Sequence, residues 1–276
     1  MKEEEIKKVV RKNYADIAKK ERSCCIPTDS CCGGAEQKQF DSQIIGYTEE
    51  ELAVLPEGAD LGLGCGNPVA FASLKEGETY VDLGSGAGID CFLASKKVGK
   101  TGRVIGVDMT PDMIDKAREN AKKGDFENVE FRLGEIEHLP VADNTVDIIT
   151  SNCVINLSPD KKAVFEEAFR VLKPGGRLMI SDIVLLKELP DYILNSLEAY
   201  VGCVAGAMLK DDYLGLVREA GFSDVEIVSE SIFPTDSLIK DPIAKAIIDE
   251  LKVSEEEIHD VGKSVVSLKF SAKKPE

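Results

Sequence analysis

Eight cysteines, at positions 24, 25, 31, 32, 65, 91, 153 and 203, are the most chemically versatile side chains in this sequence. As thiolates they can act as nucleophiles, soft metal ligands or electron donors. Their spread along a chain expected to stay in a reducing compartment points to metal binding or redox chemistry rather than to structural disulfides. The pairs Cys24-Cys25 and Cys31-Cys32 are adjacent, unlike the C-x-x-C spacing of zinc ribbons. His138 and His259 are the sole histidines, so a His-rich zinc site or a Ser-His-Asp triad has little material. A second chemical feature is Val81-Asp-Leu-Gly-Ser-Gly-Ala-Gly88, whose glycines let a ligand approach the backbone closely. Its G-x-G-x-G spacing, preceded by Asp82, differs from the G-x-G-x-x-G of dinucleotide enzymes.

These residues need a scaffold, and from Thr79 short apolar runs alternate with helical stretches. Strands are expected at Tyr80–Leu83, Arg103–Val107, Val129–Arg132, Val146–Thr150 and Arg177–Ile180, with a turn at Lys173-Pro-Gly-Gly176. Helices are expected from Ile89, after Pro111 and over Lys161–Leu172, the pattern of a parallel sheet with crossover helices. Further along, Tyr192–Ala207 and Tyr213–Ala220 read as helices, and Asp224–Val228 and Val265–Phe270 as strands. Phe233–Val261 reads as a partly helical insertion between those two strands. Upstream, residues 3–21 form an amphipathic helix that needs a partner surface, Ser23–Gly34 a loop, and Thr48-Glu-Glu-Glu51 a capping box.

On that scaffold the glycine loop joins a buried strand to a helix, where open α/β sheets bind ligands. The next strand ends in Val107-Asp108, which places a carboxylate to accept hydrogen bonds from both hydroxyls of a ribose. After the third strand, Glu135 is placed to accept from an adenine amino group and Ile136 to cover the ring. The stretch from Thr79 to Asp182 resembles the class I S-adenosylmethionine methyltransferases, near the quinone and sterol methylating branch. Asp82, Gly84, Gly86, Gly88, Asp108 and Glu135 carry the resemblance. It implies an α/β Rossmann-like fold: a seven-stranded, mostly parallel sheet of order 3-2-1-4-5-7-6 with its last strand antiparallel and helices on both faces. It also implies S-adenosylmethionine as cofactor, bound by Asp82, Gly84, Ser85, Gly86, Gly88, Asp108, Met109, Glu135 and Ile136.

The acceptor depends on what faces the sulfonium methyl. Cys153 lies just beyond the fourth strand, Cys65 in Gly64-Cys-Gly66, and Cys203 in Val201-Gly-Cys-Val204. Three soft thiolates there would suit a soft trivalent metalloid. The chain is similar to the microbial arsenite methyltransferases along nearly its whole length, most tellingly in Gly46-Tyr-Thr-Glu-Glu50, Gly62-Leu-Gly-Cys-Gly-Asn-Pro68, Ser151-Asn-Cys-Val-Ile-Asn156 and Glu198-Ala-Tyr-Val-Gly-Cys-Val-Ala-Gly206. This resemblance implies that Cys65, Cys153 and Cys203 bind As(III) and that an amino-terminal cysteine joins the redox cycle, Cys32 being favoured over Cys31. Thiol-bound As(III) keeps a lone pair that can attack the methyl without a general base, so the enzyme supplies mainly proximity and alignment. Transfer raises arsenic to the pentavalent level, and two electrons must return. A disulfide, with Cys65 and an amino-terminal cysteine as one pairing, would then be reduced by thioredoxin or glutathione.

Two other readings share the same residues: methylation of an organic molecule such as a quinone or sterol, and a non-catalytic metalloid-binding thiol protein. Cys91 reads as a core side chain beside Phe92 and Leu93. The amino-terminal cysteine pairs read alternatively as a metal-scavenging tail, His138 as a surface or adenine-side residue, and His259 as part of a solvated acidic face. Gly202 and Gly206, costly inside a helix, read as points of close approach to a ligand.

The chain has 276 residues, 43% hydrophobic and 30% charged, which suits one α/β core with appended segments. The division expected is an amino-terminal cysteine-rich segment with helices over 1–70, a cofactor-binding core over 71–184, and a carboxyl-terminal part over 185–276 that completes the sheet and the metalloid site. A net charge of −16 disfavours nucleic acid, and with neither a membrane-length apolar run nor a signal-peptide pattern a cytoplasmic protein is expected.

Overall fold

The apolar runs and helical stretches fold into one seven-stranded sheet whose central strands are buried on both faces. The computed structural model describes residues 3–20, 42–43, 45–194, 196–232 and 261–276. Cys24, Cys25, Cys31, Cys32, His259 and most of the insertion expected at 233–261 lie outside the described residues.

In chain order the elements are α1 (Glu3–Lys20), α2 (Glu49–Ala53), α3 (Pro68–Phe71), β1 (Thr79–Leu83), α4 (Ile89–Val98), β2 (Arg103–Asp108), α5 (Pro111–Lys123) and β3 (Val129–Leu133). There follow β4 (Val146–Asn152), a 3-10 turn over Ile155–Leu157, α6 (Lys161–Val171), β5 (Leu172–Leu185), α7 (Asp191–Leu194), α8 (Leu197–Val201), α9 (Lys210–Glu219), β6 (Ser223–Ile232) and β7 (Val265–Lys273). The sheet order is β3-β2-β1-β4-β5-β7-β6, with β7 antiparallel to both its neighbours and the pairs from β3 to β5 parallel.

Successive strand residues face opposite layers, so one strand feeds two cores. Tyr80, Val104 and Ile148 pack with Cys91, Phe92 and Ile114 of α4 and α5. Their neighbours Val81, Ile105 and Ile149 pack with Val164, Phe165 and Tyr213 of α6 and α9. Cys91 is fully buried in the first layer, as its core reading anticipates. Thr48 caps α2 in a capping box with Glu51. The partner surface that α1 requires is supplied by α5 and α8, and Val10 and Ala18 are buried.

Two expectations are revised. Lys173-Pro-Gly-Gly176 does not separate helix from strand: β5 starts at Leu172 opposite Val146, and the register shifts before Ile148 meets Arg177, so the predicted turn becomes a bulge inside the ladder. Nor is Tyr192–Ala207 one helix. It contains the short α7 and α8, then turns at Gly202 and Cys203, where Cys203 takes a left-handed backbone with φ of 64°. Gly206 comes so close to the Asn156 carbonyl that an added Cβ would lie 2.1 Å from it, so its role is backbone packing.

Candidate active site

A cavity of about 270 Å³ opens beyond the carboxyl ends of β1, β2, β4 and β5, the position where open α/β sheets bind ligands. One end of its wall is the predicted glycine loop. Gly84 and Gly86 have φ of 72° and 52°, in the left-handed region that favours glycine. A Cβ on Gly84 would sit 2.4 Å from Val154 Cγ1, whereas one on Gly86 would meet only open space, so the loop is tight behind and open in front. Ser85 lines the cavity with a buried Oγ that has no hydrogen-bond partner. Gly88 plays a different part: it precedes α4 and lies within 2.9 Å of the Phe92 and Phe131 rings at its Cβ position, so it secures packing and is absent from the cavity wall.

Carboxylates surround this loop. Asp108 accepts from Gly86 N at 2.9 Å and Thr110 N at 2.8 Å, which fixes its orientation at the cavity rim. Burial raises its pKa, and those two amides oppose the rise. Asp82 accepts from Thr150 Oγ1 at 3.3 Å and Cys91 Sγ at 3.5 Å; burial, then the charge of Asp90, pushes its pKa well up. Asp90 is itself pushed up to about 6 by burial, against hydrogen bonds from Tyr47 and Asn152.

After β3 the structure departs from the sequence reading. Ile136 lines the cavity as expected, but Glu135 does not. Its carboxylate accepts from Lys7 Nζ at 2.7 Å and Arg11 Nη2 at 3.3 Å, both on α1. The carboxylate in the wall is Glu137, 5% exposed, which accepts from Ser158 Oγ at 2.6 Å and pairs with Lys7 Nζ at 3.1 Å. A tight turn that bridges Glu135 to His138 redirects the side chains, and no residue pattern announces it. Burial lowers the Lys7 pKa, but Glu135 and Glu137 more than offset that. His138 donates its backbone N–H to the Glu135 carbonyl within this turn.

Cys65, Cys153 and Cys203 all line the opposite side of the cavity, with Met109. They belong to one apolar cluster with Val10, Leu157 and Ile183. Cys65 and Cys153 are joined as a disulfide with Cα atoms 5.8 Å apart, and Cys203 is a free thiol. The loop carrying Cys65 is packed directly on the end of β4 beside Cys153, and the amino-terminal cysteines considered as partners of Cys65 lie outside the described residues. Cys203 Sγ donates to the Cys153 carbonyl at 2.9 Å, and burial followed by the Asp182 charge drives its pKa far up. Asp182 is fully buried, with a carboxylate oxygen within 4.8 Å of the Cys65 and Cys153 sulfurs. It is pushed up to about 6 by burial, and accepts from Tyr213 Oη at 2.9 Å and Asn156 Nδ2 at 2.9 Å.

Several wall residues escape the sequence reading. Lys7, Val10 and Tyr14 arrive from α1, Asp90 from α4, Asn152 from the end of β4 and Ser158 from just after the 3-10 turn. Tyr14 sits in the apolar stripe of α1, so the signal present in the sequence was the stripe and the missing information was its docking place. Burial raises the Tyr14 pKa well up, so its phenol stays protonated.

A family model described as a methyltransferase domain matches residues 74–221. The arsenite methyltransferase of Halobacterium salinarum is 48% identical over 99% of this chain and 67% of its own length. That of Aquipseudomonas alcaligenes is 36% identical over 82% of this chain and 65% of its own. The crystal structure of an arsenic(III) S-adenosylmethionine methyltransferase from Chlamydomonas reinhardtii superimposes with a TM-score of 0.61 at 30% identity, covering 88% of this chain and 75% of that one. The chain thus spans about two thirds of the length of the curated relatives it matches. With the matched domain containing the glycine loop and Asp108, and with an identity of 48% over 99% of the chain, the chain belongs to the arsenite methyltransferase family of class I methyltransferases.

Proposed function

We propose that this chain transfers methyl groups from S-adenosylmethionine to trivalent arsenic held by Cys65, Cys153 and Cys203. The observation that carries this reading is the convergence of those cysteines, from three separate stretches of chain, on the cavity that also holds the glycine loop and Asp108.

The residues present fit the cofactor. The open space before Gly86 leaves room for its amino-acid end. Asp108, already oriented by two backbone amides, has lone pairs left for ribose hydroxyls. Ile136 supplies an apolar surface for the adenine, and Glu137 takes the polar position beside it, with Glu135 acting through Lys7. Asp82, Gly84 and Met109 complete this side, and Gly88 shapes the loop from behind. When bound, S-adenosylmethionine supplies an electrophilic methyl group.

Arsenous acid condenses with three thiols and releases water, so each thiol proton leaves with an arsenic hydroxyl and no protein base is needed. That suits Cys203, which burial keeps as a neutral thiol. The apolar neighbours Val10, Leu157 and Ile183 keep water from competing for the arsenic. Cys65 and Cys153 must be dithiol before arsenic binds, and a cellular dithiol or glutathione would supply that reduction. After methyl transfer the same pair can return two electrons to arsenic and close again as a disulfide, with Cys32 as a relay from outside the described residues. In this reading the 1–70, 71–184 and 185–276 parts act as cover, cofactor core and completion of the metalloid site, in a cytoplasmic setting. Among the described residues no helix is long and apolar enough to cross a membrane.

The test is incubation of the protein with arsenite, S-adenosylmethionine and excess thiol, with methylated arsenicals separated by chromatography and detected by element. Methylated arsenic is the expected result. Cofactor binding without such product would turn the reading to an organic acceptor.

A further inference from the structure

Asn152 ends β4, one residue before Cys153, and its side chain is committed to the loop that carries Cys65. Its Oδ1 accepts from Cys65 N at 3.0 Å, and its Nδ2 donates to Gly66 O at 2.6 Å. The amide thus grips the loop at two successive residues, through the N–H of one and the C=O of the next. The same Nδ2 lies 3.1 Å from Tyr47 Oη and 3.3 Å from Asp90 Oδ2, and Tyr47 Oη donates to Asp90 Oδ1 at 2.8 Å. The amide is therefore braced from behind as well as bonded in front.

The loop is shaped around it. A Cβ on Gly64 would lie 2.9 Å from both Asn152 amide atoms, and Gly64 has φ of 109°, so a glycine is required for the loop to close on this side chain. Gly66 is tighter still, its Cβ position lying 2.1 Å from Ser181 Oγ on β5. Consecutive strand residues normally point to opposite faces. Here Cys153 takes a left-handed backbone, φ 56°, immediately after the strand, so Asn152 and Cys153 both reach the same loop.

We propose that Asn152 is the positioning residue that holds the Cys65 loop within reach of Cys153, and thereby sets how readily those two sulfurs act as a pair. This deepens the arsenite reading, which needs both sulfurs on one arsenic atom. The effect is one of local concentration: with those two bonds gone, the loop samples positions in which the Cys65 sulfur is out of range.

The experiment reads the pair without arsenic. The full chain is equilibrated in glutathione redox buffers, the remaining thiols are alkylated, and the Cys65–Cys153 cross-linked peptide is quantified by mass spectrometry. Asn152→Ala and the equal-sized Asn152→Asp, which loses both N–H donors, are compared with the unaltered chain. Both variants are expected to shift the disulfide equilibrium constant about tenfold or more toward the dithiol, with a cooperative thermal unfolding transition retained. In steady-state assays they raise the arsenite KM. A general loss of fold would instead abolish that cooperative transition, and Asn152→Asp keeps the test available if Asn152→Ala is poorly folded. An equilibrium constant within about twofold of the unaltered chain in a folded variant overturns the proposal. Because glutathione alone is the probe, that failure is distinct from a failure of the protein to methylate arsenite.

Discussion

Gly84 illustrates how closely a single residue is tied to the cavity. Its backbone is left-handed at φ 72°, and a Cβ would approach Val154 to 2.4 Å. Gly84→Ala is expected to weaken S-adenosylmethionine binding by about tenfold or more, because both strain and clash push the loop into the cavity. Isothermal titration calorimetry reads this directly; an unchanged affinity would show that the loop lies outside the cofactor site. Gly86→Ala should be tolerated better on steric grounds, since its Cβ meets open space, though its φ remains unfavourable. At this scale the sequence shows which residue types are present but not always which way they point. The glycine spacing exposes the loop, and Asp108 follows from its place at a strand end. Glu135 and Glu137 cannot be separated that way, because two carboxylates two residues apart sit in a turn whose geometry depends on contacts made far away in the chain.

Among the elements, α1 bears most on function. Lys7 spans Glu135 and the buried Glu137, and Lys19 pairs with Asp112 on α5 at 3.2 Å. Replacing Lys7 with methionine keeps the apolar stem but leaves Glu137 facing the cavity with one hydrogen-bonding partner fewer, a loss of about 1–3 kcal/mol for a buried charge. Hydrogen exchange of the α1 amides is expected to accelerate in Lys7→Met while that of β1 and β4 stays slow. Equal acceleration in all three would mean that Lys7 supports the whole fold and not the docking of α1. The apolar stripe in residues 3–21 reveals a helix with a buried face, but its docking place on α5 and α8 is a tertiary fact. The segment after Pro190 is the converse: its composition reads as one helix, yet the left-handed Cys203 breaks it and turns a thiol into the cavity.

For the whole molecule, buried carboxyl groups set an unusual response to pH. Asp182 is pushed up to about 6 by burial, so the folded protein holds its proton more tightly than the unfolded chain does. Between pH about 4 and about 6 the folded state binds more protons, and this group's contribution falls as pH rises through that window. Its ionisation costs the fold about 3 kcal/mol by neutral pH. Asp182→Asn should therefore show a flatter decline of unfolding free energy from pH 4.5 to pH 7 than the unaltered chain, measured by denaturant titration at each pH. Parallel profiles would contradict the assignment of that slope to Asp182. The sheet order was implied by the family resemblance and is present in the fold, because the alternation of apolar runs and helices leaves few ways to bury both faces. The bonded pair of Cys65 and Cys153 was not legible, since 88 positions separate them and only the packing of the Gly64–Gly66 loop on β4 joins them.

The central claim is that the three cavity cysteines hold arsenic together. X-ray absorption at the arsenic edge on the reduced, arsenite-loaded protein counts the sulfur neighbours. About three As–S contacts are expected in the unaltered chain, falling to about two in each of Cys65→Ser, Cys153→Ser and Cys203→Ser as oxygen replaces the missing sulfur. A sulfur count unaffected by all three substitutions would place the arsenic on other thiols and contradict it.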